Sequence, residues 1–180
     1  MAKLVSKTYG DALFELAVEG NRVEELFEEA KGILSILESN EDFVKLMNHP
    51  QIVKEEKAEM LEKIFLNQVS KETVGFMRMM VEKGHFKELK KSLIYFIDRV
   101  KDYKKIGVVF VTSAMKLTDQ QKESIEKRLL ETTKYVELEM HYTEDKALIG
   151  GMIIRIKDRV VDSSIRTKLQ RLSRDLSKIQ

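Results

Sequence analysis

The sequence predicts a mainly α, α+β chain. An N-terminal six-helix bundle is expected over residues 1–105, followed by a small α/β domain over 106–180 with a short mixed β-sheet and flanking helices. Three observations carry this. Apolar residues recur every three or four positions as far as Lys105, the repeat of helices that bury one face. At Ile106 the repeat shortens to two, the repeat of strands. Connections between the helical stretches are short, which suits a bundle of antiparallel neighbours.

The first helix places Val5, Tyr9, Ala12, Leu13 and Leu16 on one face and ends near Gly20. The second starts at Asn21 and turns Val23, Leu26, Phe27, Ala30, Ile33, Leu34 and Leu37 inward. Asn40 is a candidate cap for a short third helix carrying Phe43, Val44 and Met47, because a side-chain oxygen there can accept from the free amides of a first turn. Pro50, the single proline, biases His49 away from helical geometry. The fourth helix uses Ala58, Leu61, Ile64 and Phe65. Ser70 caps the fifth, where Val74, Phe76, Met77, Met79, Met80 and Val81 leave little polar surface. Gly84 ends it, and a sixth runs from Phe86 through Leu89, Leu93, Ile97 and Val100.

Beyond the change of period, Ile106, Val108 and Phe110 face one way and Val109 and Val111 the other, which predicts a central strand covered on both sides. Thr118 with Gln121 forms a capping box for a helix reaching about Thr132. In the second strand Val136, Leu138, Met140 and Tyr142 alternate with Glu137, Glu139 and His141. A glycine pair, Gly150-Gly151, then opens a hairpin in which Met152, Ile154 and Ile156 share a face. Lys157 and Asp158 turn the chain, and Val160 and Val161 return. Asp162, Ser163 and Ser164 offer capping oxygens to a last helix, where Ile165, Leu169, Leu172, Leu176 and Ile179 alternate at spacings of four and three. That narrow seam is expected to pack chiefly on the domain's own sheet, with Arg166, Lys168, Arg171, Arg174 and Lys178 outside.

The composition narrows the function. Charged residues make up 34% of the 180 and apolar ones 43%, a folded and helix-rich balance. The net charge is +2, with 18 basic and 19 acidic residues in 1–105 and 14 and 11 in 106–180. Neither part has the basic excess of a nucleic-acid binder. With no cysteine there is no disulfide framework or thiol chemistry. No run approaches the roughly 18 apolar residues that cross a bilayer. The opening MAKLVSKTYGDALFELA enters a helical pattern at once and predicts no signal or transit peptide.

No catalytic, cofactor or metal residues emerge. His49, His85 and His141 are isolated from one another, with no second histidine four residues on to complete a helical ligand pair. Glu82-x-x-His85 is one half of a di-iron pattern that needs a second such pair and two further carboxylates, and Gly84 breaks its helix. Glu24, Glu25, Glu28 and Glu29 read as a solvated face. Gly150-Gly151 is not followed by a phosphate-binding fingerprint. The fifth helix is more apolar than one buried face requires. Either it is the centre of the bundle, or Val74, Met77 and Met80 join Tyr9, Ala12, Leu13 and Leu16 in a groove for a partner helix.

Several strings together resemble a known family. Leu148-Ile149-Gly150-Gly151, Ile-Arg-Ile at 154–156, Asp158, Val161-Asp162 and Ser164-Ile165-Arg166 with Leu169 and Leu172 resemble the C-terminal signature of the delta subunit family of the F-type ATP synthase, which includes the oligomycin-sensitivity-conferring protein. Tyr9 to Ala17 resembles its first-helix motif, with Gly10 where alanine is usual. Glu82-Lys83-Gly84-His85-Phe86 and Val111-Thr112-Ser113-Ala114 extend the likeness over nearly the full length. Lys146, Lys157 and Ser163 stand where proline, glycine and glycine are usual, and His85 where arginine is.

The resemblance implies a non-catalytic stator connector without cofactors. It implies that the bundle holds N-terminal helices of the alpha subunits through the groove residues, and that the C-terminal domain grips the b subunits through Ile165, Arg166, Leu169, Leu172 and Leu176. The chain would be a monomer within a hetero-oligomeric complex, peripheral on the inner face of a bacterial cell membrane, with no membrane insertion and no nucleic acid. The residues alone leave an alternative, a free-standing helical adaptor or nucleic-acid-binding regulator using the Lys/Arg-rich last helix.

Overall fold

The computed structural model describes residues 2–66 and 68–177. Contacts divide the chain into two units, Met1–Lys101 and Asp102–Gln180.

The first unit contains helices α1 (Ala2–Glu19), α2 (Val23–Ser39), α3 (Glu41–Met47), α4 (Lys54–Phe65), α5 (Lys71–Glu82) and most of α6 (Leu89–Lys104), which follows a 3-10 turn at Phe86–Glu88. Its core is one cluster that includes Leu13, Leu26, Ile33, Phe65, Met77 and Phe96. A Cβ on Gly10 would lie 2.5 Å from the Tyr95 ring, so α1 and α6 approach closely there. Tyr95 donates its hydroxyl to Asp11 at 3.0 Å. Burial, with the Asp11 carboxylate beside it, pushes that hydroxyl's pKa up.

Four details differ from expectation. Asn21 adopts a left-handed φ of 52°, so α2 begins at Val23 rather than Asn21. Arg22, at the cap, instead pairs with Glu25 and Glu72, each at 2.7 Å, linking α2 to α5. Asn40 precedes α3 without capping it; its side chain turns back and donates to the Ile36 carbonyl at 3.0 Å. Ile64 is exposed, leaving Ala58, Leu61 and Phe65 as the buried face of α4.

The fourth is Glu29, which is not part of a solvated face. It accepts from the Ser70 amide at 2.6 Å, the Ser70 hydroxyl at 2.7 Å and the Thr73 hydroxyl at 2.5 Å. Ser70 in turn caps α5 by accepting from the Thr73 amide at 3.4 Å. A carboxylate on α2 thus completes the start of α5, where the helix dipole favours negative charge.

The second unit contains β1 (Ile106–Ser113), α7 (Asp119–Thr132), β2 (Glu137–Glu144), a 3-10 turn at Lys146–Leu148, β3 (Met152–Ile156), β4 (Arg159–Asp162) and α8 (Ile165–Ser177). The strand order is β2-β1-β3-β4, with β1 and β2 parallel and the other pairs antiparallel, so the sheet is mixed. Thr118 and Gln121 form the complete capping box of α7. Ile125, Leu129 and Leu130 of α7 pack on a core of Val109, Val111 and Leu138.

β1 is central but is not covered on both sides. Its other face carries Phe110, 41% exposed, stacked on His141 with ring centroids 5.0 Å apart. The Arg155 guanidinium lies 4.8 Å from the Phe110 ring centre. The α7 crossover covers the opposite face, and these three side chains, in register across β2, β1 and β3, shield one another instead.

Candidate partner-binding surfaces

The last helix is built from a capped corner. Asp162 accepts the Ser164 amide at 2.8 Å and the Thr167 hydroxyl at 2.8 Å. Ser164, nearly fully buried, accepts the Thr167 amide at 3.2 Å. These bonds, those to Ser164 foremost, hold the Asp162 carboxyl below the usual aspartate range. The Ile165 amide donates to the Gly150 carbonyl at 2.9 Å, which fixes the first turn of α8 on the glycine corner. Leu148 is buried beneath that corner, while Ile149, at a φ of 66°, is exposed. Ser163 clamps β3, its amide and hydroxyl donating to the Met152 carbonyl at 3.0 and 2.8 Å. Asp158 is exposed at the hairpin turn, beside Lys157 at a φ of 50°.

Past this anchored turn α8 has its apolar side open. Ile165 is 42% exposed, Leu169 52%, Leu172 60% and Leu176 67%. The seam therefore does not pack on the domain's own sheet: the helix is tied to the glycine corner at its first turn, and every described residue beyond Thr167 is exposed. Arg166 is also exposed. Ile179 and Lys178 lie outside the described residues. Val160 and Val161 of the edge strand β4 are exposed as well.

The residues assigned to the bundle groove divide into two sets. Leu13, Val74, Met77 and Met80 line the bundle's own core, none more than 6% exposed, so α5 is a central helix along that face. Ala12 and Leu16 are exposed, and Tyr9 is half-buried with its ring edge-on to Phe76 of α5 at 6.5 Å. Leu4 and Met79 also reach the surface. Helical periodicity placed Met79 among the buried residues of a nearly all-apolar helix and gave no signal to separate it from Met80.

Among the described residues no group of three or more His, Asp or Glu could hold a metal ion, and no helix is long and apolar enough to cross a membrane. What the geometry does offer is an anchored amphipathic helix with an uncovered apolar stripe. Such a chain is a protein-binding scaffold.

Comparison with known proteins makes this specific. Residues 5–176 match the family model described as ATP synthase delta (OSCP) subunit. The chain is 48% identical over 180 residues to the ATP synthase subunit delta of Lachnoclostridium phytofermentans, covering all of this chain and 99% of that protein. It is 32% identical to that of Alkaliphilus oremlandii, covering 99% of each. The fold matches a chain in the cryo-EM structure of the Toxoplasma gondii mitochondrial ATP synthase hexamer, with a TM-score of 0.71, 18% identity and coverage of 95% and 96%. The chain belongs to the ATP synthase delta (OSCP) subunit family, whose members are structural, non-catalytic components of the stator of F-type ATP synthases. That membership leaves the free-standing adaptor or nucleic-acid regulator without support.

Proposed function

We propose that this chain joins the catalytic head of an F-type ATP synthase to its peripheral stalk and resists the torque of the rotor during proton-driven ATP formation. The first unit holds an N-terminal helix of an alpha subunit against the exposed side of α1, at Tyr9, Ala12 and Leu16, with the buried Leu13, Val74, Met77 and Met80 backing that surface. The second unit holds the b subunits through α8. The observation that carries the reading is the uncovered seam Ile165, Leu169, Leu172 and Leu176, since contiguous exposed apolar side chains on an ordered helix mark an interaction surface.

A static linker under torque needs slow dissociation. A nanomolar constant corresponds to about 12 kcal/mol, and roughly 800 Å² per partner at each end is ordinary for such contacts. The chain would lie at the inner face of the bacterial cell membrane through the complex, one copy within a hetero-oligomer.

Two measurements test the two ends. Leu16→Asp should weaken binding of an alpha N-terminal peptide while circular dichroism stays helical; unchanged affinity removes α1 from the head contact. Deleting residues 163–180 should abolish recovery of b with the purified chain. Full recovery of b would place the stalk contact elsewhere.

A further inference from the structure

We infer that α8 pairs with its stalk helix in a heptad register whose flanking positions on the partner are acidic, a step that rests on the stalk reading above. Ile165, Leu169, Leu172 and Leu176 occupy alternating d and a positions, a stripe too narrow for a globular core and suited to a two-stranded seam. Helical geometry then sets Arg166 and Lys168 at the e and g positions beside the first half of the seam, and Ser173 and Asp175 beside the second. Within Ile165–Ser177 there are four basic residues, Arg166, Lys168, Arg171 and Arg174, against one acidic residue, Asp175. The charge that borders the seam is thus positive near the anchored end and turns negative only in the last turns.

Length explains why the flanks matter. Thirteen residues make a helix of about 20 Å. Helices of about 12–15 residues are marginal in water by themselves. Beyond Thr167 every described residue of α8 is exposed, so the outer turns gain little from the rest of the chain. Four apolar contacts over two heptads leave register and direction under-determined, and e and g charges are what select them. The matching partner is an amphipathic helix with leucine-like side chains at its own a and d positions, Glu or Asp opposite Arg166 and Lys168, and Lys or Arg opposite Asp175. The rival occupant of a basic amphipathic helix is an anionic lipid surface, but such helices lay a wide apolar face into the membrane, and here the stripe is one residue wide on each turn.

The test uses the full chain and a synthetic peptide of the b-subunit stalk helix, with affinities from titration calorimetry. R166E/K168E should bind about tenfold more weakly than the unaltered chain, and a peptide with its flanking acids changed to lysine should restore the loss. The unaltered chain should also lose affinity between about 50 and about 500 mM NaCl. Equal binding of R166E/K168E, or a flat salt response, overturns the charge pairing while the stalk reading stands. Failure of the unaltered chain to bind the peptide overturns both. Binding to phosphatidylserine vesicles that R166E/K168E loses, with peptide affinity unchanged, assigns the basic flanks to lipid and overturns the pairing.

Discussion

Gly151 and Ser163 meet backbone to backbone: a Cβ on Gly151 would lie 2.5 Å from the Ser163 carbonyl oxygen and 3.1 Å from its carbonyl carbon. Gly151 also holds a φ of 76°, a region that side chains disfavour. The contact brings the start of β3 against the residue that leads into α8. Gly151→Ala should therefore destabilise the second unit by about 2 kcal/mol or more. Urea unfolding followed by a probe in that unit measures this, and an unchanged midpoint would mean the corner can open at little cost.

Glu29 ties α2 to the start of α5 across more than forty residues of sequence. Glu29→Gln keeps the shape but removes the charge and one acceptor oxygen, the one that serves the Ser70 and Thr73 hydroxyls. A loss of about 1–3 kcal/mol is expected, read as a lower Tm of the bundle. Glu24→Gln, on the exposed part of the same helix, should change Tm far less.

Acid should loosen the root of α8. Asp162 has its pKa lowered in the folded chain by hydrogen bonds from Ser164 and Thr167, so the stability it contributes is present above the ordinary aspartate value of about 4 and is lost as pH falls through the lowered one. Protection of the Ser164 and Thr167 amides, taken relative to their intrinsic exchange rates, should begin to fall below about pH 4. Asp162→Asn should show fast exchange already at neutral pH.

Leu172→Asp and Leu93→Asp separate surface from core. Leu172 is 60% exposed and Leu93 fully buried. The first substitution should leave the unfolding free energy within about 0.5 kcal/mol of its starting value and lose b binding. The second should unfold the bundle, because an unpaired charge in its core costs several kcal/mol.

Much of this fold was legible because its signals are local. The Thr118–Gln121 capping box, the Ser70 cap and the change of period at Ile106 each lie within a few residues. What escaped depends on distant neighbours. Glu29 reads as one of four similar carboxylates until Ser70 is placed beside it. Periodicity shows that Ile165, Leu169, Leu172 and Leu176 share a face but cannot say whether the chain's own sheet covers it, and it does not. Likewise the alternation at 106–111 marks a central strand, yet only the topology reveals that one helix serves one face and leaves Phe110 to stack on His141.

The most direct test is a bridging measurement: purified catalytic head and soluble b subunit are mixed with or without this chain and resolved by size exclusion. The account predicts one complex containing all three only when the chain is present. With Leu169→Asp/Leu172→Asp, the chain should stay with the head and b should elute alone. Recovery of b with the head in the absence of the chain, or undiminished recovery with the double variant, would contradict it.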